Sequence, residues 1–168
     1  MLAIGLGINP SKRDLLVTNP DAGDAFNTNS GPDPKVREAF QFCFPKNFKL
    51  YDIISLRSTN QKFNKLSKDE KIELCKNNEK ILLSHIKEFN PDLLILFTVS
   101  NKLIIDFLNE FKDKYLSENI RIVKIKHPSY FFRWKGKEWD SKIFKKHLLE
   151  RLKEEGIKLT DAGKIARL

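Results

Sequence analysis

The chain has 168 residues, 40% of them hydrophobic and 32% charged, with a formal net charge of +9. This is enough length for one compact domain with a real core, the composition is globular rather than disordered, and no apolar run approaches the roughly 18 to 20 residues that cross a bilayer. Two cysteines, Cys43 and Cys75, are too few for a zinc or iron–sulfur ligand set or for a secreted disulfide framework, and read as ordinary buried thiols.

The first apolar run, LAIGLGI (2–8), lacks a basic leader and runs straight into Asn9-Pro10-Ser11, so it reads as a buried strand rather than a signal peptide; the expected location is the cytoplasm. Asp33, with Pro34 at the first helical position, opens a helical pattern over 33–44. KLYDIISL (49–56) is the second strand candidate, and Ser67 followed three residues later by Glu70 is a capping box at the head of a long helix over 67–89. A third strand over 92–99, a helix over 101–116, a fourth strand over 120–126 with period-2 alternation and a helix over 139–155 complete the series. Strands alternating with helices imply βαβ units. The expected fold class is therefore a three-layer α/β/α arrangement around a mostly parallel four-stranded sheet. One domain is expected over 1–156, with 157–168 as a C-terminal tail, and no internal repeat or linker divides it.

In such a fold, ligands gather beyond the carboxyl ends of the strands. The segments that fall there are GINPSKRD, SLRSTN, TVSNK and KHPSYFFRW, polar where the strands are not. Charge is uneven along the chain: residues 120–168 hold 14 Lys/Arg and 6 Asp/Glu, so nearly all of the basic excess lies in the last third. Clustered cations of this kind suit a polyanion, because each neutralised phosphate releases counterions, although a solvated lysine-rich helix has the same composition. No Walker-type phosphate loop is present, and GLGIN lacks the third glycine of a dinucleotide fingerprint. A serine hydrolase would need His127, with no G-x-S-x-G elbow beside it, and His85 falls in a helical pattern as a helix-face residue. No cofactor and no metal site is expected.

Two motifs remain at opposite ends of the chain: Gly7-Ile8-Asn9-Pro10 after the first strand and His127-Pro128-Ser129 after the last. Together they resemble the uracil-DNA glycosylase superfamily, whose members carry G-[QIE]-[DNA]-P after the first core strand and [HN]-P-S after the last. The first motif is similar to that of the mismatch-specific branch and the second to that of the classical uracil branch, over about residues 2–150. The DPKVREAF, RST and NNEKIL segments also resemble a group of uncharacterised bacterial and phage proteins with N-P-S and H-P motifs.

The resemblance implies a monofunctional DNA glycosylase that flips a pyrimidine out of the duplex, hydrolyses its N-glycosidic bond and leaves an abasic site, in DNA repair or in defence against phage. It implies that Asn9 orients the attacking water and that His127 hydrogen-bonds the departing base, the two catalytic residues. Gly7, Ile8 and Pro10 shape the turn, and Phe26 is the candidate stacking platform. Ser129 would anchor a flanking phosphate. Tyr130, Phe131, Phe132 and Trp134, interleaved with Arg133, Lys135 and Lys137, follow where the family has its DNA wedge; aromatic and basic residues in one loop suit unstacked bases and phosphates.

Two positions depart from the family. Ser11 stands where the classical enzymes have a tyrosine that blocks the pyrimidine C5 position, which leaves room for thymine or a larger C5 substituent, including hypermodified phage bases. Ser55, with Arg57 nearby, stands where the family reads the pyrimidine edge with an asparagine, and a hydroxyl cannot reproduce an amide's paired donor and acceptor. The expected partner is DNA, with no membrane association, and the expected state is a monomer. Two alternatives share the residues: a catalytically inactive nucleic-acid-binding module, and a nucleoside or nucleotide N-glycosidase.

Overall fold

The computed structural model describes residues 1–7, 26, 33–53, 65–98, 102–133 and 141–158, with the side chains of Thr98, Ser129, Phe132, Arg133 and Ser141 outside the description. In chain order the elements are β1 (Ala3–Gly7), α1 (Asp33–Cys43), β2 (Phe48–Asp52), α2 (Lys68–Phe89), β3 (Leu93–Thr98), α3 (Lys102–Tyr115), β4 (Arg121–Lys126), α4 (Pro128–Arg133) and α5 (Ser141–Glu154). Four strands thus alternate with helices in an α/β protein, as the sequence leads one to expect. The one element without a sequence counterpart is α4. Its Pro128 occupies the first helical position, where a missing N–H costs nothing, and the Tyr130 N–H donates to the His127 carbonyl at 2.9 Å.

All strands run parallel in the order β2-β1-β3-β4. Ala3 pairs with Phe48 on one side and Leu93 on the other, while Leu93 also pairs with Arg121. β1, central and flanked on both sides, is buried at every position, which is why it reads as a continuous apolar run. β4, at an edge, alternates between exposed and buried residues. Its outer side is held by α5: Arg151 Nε donates to the Lys124 carbonyl at 3.2 Å, the Lys126 N–H donates to His147 Nε2 at 3.2 Å, and Arg121 donates to the Glu155 carbonyl. The first two bonds satisfy backbone groups that an uncovered edge would present to another strand.

Alternation sends successive strand residues to opposite faces. One core joins Ala3, Leu50, Leu93, Ile95, Phe97, Val123 and Ile125 to Val36, Ala39 and Phe40 of α1 and to Phe144, Leu148 and Leu152 of α5. Ile157, the first residue of the expected tail, is buried in this cluster. The other core joins Ile4, Leu6, Tyr51, Leu94 and Leu96 to Cys75, Leu82 and Ile86 of α2 and to Ile104 and Phe111 of α3. Burial pushes the Cys43 thiol up to about 12 and the Cys75 thiol up to about 11, so both stay protonated at neutral pH. The capping box on α2 forms in full: Ser67 Oγ accepts from the Glu70 N–H, and the Glu70 carboxylate accepts from the Ser67 N–H, which lowers the pKa of Glu70.

Gly5 is dictated by the first core. A Cβ at that position would lie 2.7 Å from Leu50 Cδ2 and 2.8 Å from Phe40 Cζ, closer than real side chains approach.

Candidate functional site

The strand order places the reversal of connection between β1 and β3, since the chain moves from β1 to β2 on one side and returns to β3 on the other. A crevice at the carboxyl ends of these two strands is the expected ligand position in an open α/β sheet. Phe26 stands there. Its ring meets Phe97, near the end of β3, edge-on with centroids 5.1 Å apart, and lies 6.2 Å from the ring of His127, just beyond β4. Phe97 and His127 are themselves 6.0 Å apart, so the three rings form one aromatic cluster. Phe97 is buried, whereas Phe26 and His127 are half-buried.

Phe26 has a φ of 56°, in the left-handed region that a bulky residue rarely adopts. Such backbone strain persists where surrounding contacts over-determine it. Here Arg37, on α1, donates to the Phe26 carbonyl through its guanidinium, a charge-assisted bond, while the ring is wedged against Phe97. Gly7 supplies the space beside it: a Cβ at Gly7 would overlap Asp52 Oδ1 and lie 3.5 Å from Phe26 Cε2. Asp52 pairs in register with Gly7 as the last residue of β2, and the Ile53 N–H donates to the Gly7 carbonyl at 3.0 Å. Half-buried, the Asp52 carboxylate reaches over the glycine toward the Phe26 ring.

The structure brings Gly7, Phe26 and His127, all singled out in the sequence, together near the carboxyl ends of the strands, and adds Asp52, which the sequence reading did not single out. The signal available was a carboxylate at the end of an apolar strand, on the face shared with Leu50, but only the pairing with β1 shows that it lands over a glycine.

On the β4 side, Tyr130 is exposed and its ring carries the Lys126 ammonium at 4.4 Å, a cation–π pair at the surface. Phe131 turns inward, against Phe144 at 5.8 Å and His147 at 5.1 Å, and packs on the first core. His147 is held toward its neutral form by burial, with Lys126 and Arg151 adding to the shift against Glu150 and Glu154. Neutral Nε2 is the form able to accept the Lys126 N–H. On the opposite face, His85 of α2 stacks on Tyr51 at 4.2 Å. Ser129 and Arg133 fall on α4. Ile8, Asn9, Pro10, Ser11, Ser55, Arg57, Trp134, Lys135 and Lys137 lie outside the described residues.

No family model matches the chain, and no curated protein matches it. Among the described residues, no group of three or more His, Cys, Asp or Glu side chains is placed to hold a metal ion, and no helix is long and apolar enough to cross a membrane.

Proposed function

We propose that the chain is a monofunctional DNA glycosylase with a three-layer fold of the uracil-DNA glycosylase kind, acting as a monomer on a damaged, mismatched or C5-modified pyrimidine. The observation that carries the reading is the placement of Phe26 at the β1/β3 reversal, in contact with Phe97 and His127 and beside a glycine. A base turned out of the duplex stacks on the Phe26 ring, and stacking on an aromatic face contributes about 1 to 3 kcal/mol per base. His127 donates a hydrogen bond to the base carbonyl. As the bond from C1′ to the base nitrogen breaks, negative charge spreads into that carbonyl, and a donor already in position stabilises it more than it stabilises the substrate. Asn9 holds the water whose oxygen adds to C1′; one water proton goes to solvent, and the base leaves as an anion that takes its proton afterwards.

The Lys126–Tyr130 pair beside His127, with the basic excess of the last third of the chain, supplies contacts for the flanking phosphates and an unstacked neighbour base. A serine at residue 11, in place of the tyrosine of the classical enzymes, suits a pyrimidine with a C5 substituent. The abasic product starts repair or, in modified phage DNA, disables the invading genome.

The test is base release, read by mass spectrometry, from DNA containing uracil, T:G mismatches, and hydroxymethylated or glucosylated pyrimidines. Release lost in Asn9→Ala, His127→Ala and Phe26→Ala is the expected result. DNA binding without release from any substrate would replace the glycosylase with a binding module, and release from nucleosides but not from DNA would replace it with a nucleoside hydrolase.

A further inference from the structure

His147 has no part in the proposed mechanism, yet it touches the chain on both sides of His127. From α5 its Nε2 accepts the N–H of Lys126, the last residue of β4, at 3.2 Å, and its ring lies 5.1 Å from that of Phe131 on α4. Residue 127 is all that separates the strand from the helix, so one side chain grips the strand end just before His127 and the helix just after it. Phe144, a turn earlier on α5, meets Phe131 at 5.8 Å and Phe97 at 6.4 Å, which ties the same short helix to β3. Within the junction the Tyr130 N–H donates to the His127 carbonyl at 2.9 Å, so a shift of α4 carries the His127 backbone with it.

We propose that His147 is a positioning residue: by accepting the Lys126 N–H and packing on Phe131, it sets the His127 ring in its place against Phe97 and Phe26. The consequence for catalysis rests on the glycosylase reading, in which the His127 donor stands at the departing base. A neutral imidazole has one acceptor nitrogen, and a protonated one has none. The half-buried site keeps His147 in the accepting form, with Lys126 of β4 and Arg151 of α5 opposing a second proton while Glu150 and Glu154 favour it. Arg151 holds the Lys124 carbonyl two residues earlier, whereas the His147 bond falls on the last amide of the strand, where a small rotation displaces His127 most directly. Groups that act on a reacting centre need such support, because a misplacement of about 1 Å costs about a hundredfold in rate.

The test compares wild type with His147→Gln, whose side-chain carbonyl accepts the Lys126 N–H, and His147→Leu, which keeps apolar bulk against Phe131 but has no acceptor. Thermal melts establish folding; if His147→Leu does not fold, His147→Asn, polar but too short to reach the amide, takes its place. The first readout is proton–carbon NMR of the histidine rings at neutral pH, with the His127 signal assigned by its loss in His127→Gln. Phe97 and Phe26 impose ring-current shifts on that signal, which are expected to persist in His147→Gln and to collapse in His147→Leu. The second readout is base release at saturating DNA: His147→Leu is expected to lower kcat at least about tenfold with Kd within about twofold, and His147→Gln to stay within about threefold of wild type. A His127 signal unmoved in His147→Leu, or displaced equally in both variants, overturns the proposal, as does an unchanged kcat or a loss confined to Kd. If wild type releases no base from any oligonucleotide, the glycosylase reading fails by itself, and the NMR comparison alone decides whether His147 positions His127.

Discussion

Replacing Gly5 or Gly7 by alanine adds the same methyl group to the same face of β1, two residues apart, with expected outcomes of opposite kind. At Gly5 the new Cβ meets Leu50 Cδ2 at 2.7 Å, Phe40 Cζ at 2.8 Å and Phe40 Cε1 at 3.0 Å, all well inside van der Waals contact. Phe40 is fully buried and hemmed by the rings of Phe44, Phe48 and Phe97 at 5.7 to 6.0 Å, so it has nowhere to turn. Overpacking of this kind costs about 1 to 3 kcal/mol, more than the roughly 0.4 to 1 kcal/mol that alanine recovers by restricting the unfolded chain. A net loss near 1.5 kcal/mol, with a urea dependence of about 2 kcal/mol per molar, lowers the unfolding midpoint by about 0.7 M. At Gly7 the obstacle is the tip of a half-buried carboxylate, which turns away toward solvent. Gly7→Ala is therefore expected to unfold within about 0.3 M urea of wild type. Urea titrations followed by far-UV circular dichroism measure both midpoints. An unmoved midpoint for Gly5→Ala would refute the argument from close contact, and an equal loss in both variants would refute the distinction between a rigid and a yielding neighbour.

Ser67→Ala removes half of the α2 capping box and should cost about 1 kcal/mol in the same titration; a Ser67→Asp variant, which keeps an acceptor, should retain most of it. Because the Glu70 carboxyl is held below its usual range in the folded protein, its stabilisation is present above the ordinary glutamate pKa and is lost as pH falls through the lowered value; Glu70→Gln should flatten that part of an acid titration. His147 titrates lower when folded than when unfolded, so stability should fall as pH drops below the ordinary histidine range, and His147→Gln, which can still accept the Lys126 N–H, should remove that slope. Cys43 and Cys75, buried and raised to about 12 and about 11, should resist a thiol reagent at pH 8 in the native protein and react promptly in denaturant; fast native reaction would contradict their burial.

The alternation of strands and helices is legible because each strand is an apolar run and each long helix has a cap or a period. β2 shows where such reading stops. The apolar pattern runs on to Leu56, whereas β2 is Phe48–Asp52 and its register against β1 comes from the pairing of the two segments, which neither shows alone. The helix α4 escaped for another reason: six residues are too few for a period, and His-Pro-Ser followed by aromatics looks like a turn. Gly7, Phe26 and His127 were legible through motif and loop position. Asp52 was not, since its meaning comes from the register that sets it over Gly7.

The two faces of the sheet are built from different stretches of chain. The core under α2 and α3 gathers most of its helical side from the contiguous span 68–115, whereas the core that carries Phe26 joins α1 to α5, elements near opposite ends of the sequence. Closing so long a loop is entropically later and locally less cooperative than docking neighbours, so the face without the site is the natural scaffold and the face with it the last to consolidate. Amides of α1 and α5 exchanging with solvent ahead of those of α2 and α3 would be the signature, and slower exchange of α2 and α3 only after α1 and α5 are docked would contradict it. A base seated between Phe26 and His127 would then act as a clasp between the chain's two ends, tightening the half of the molecule that depends on their meeting.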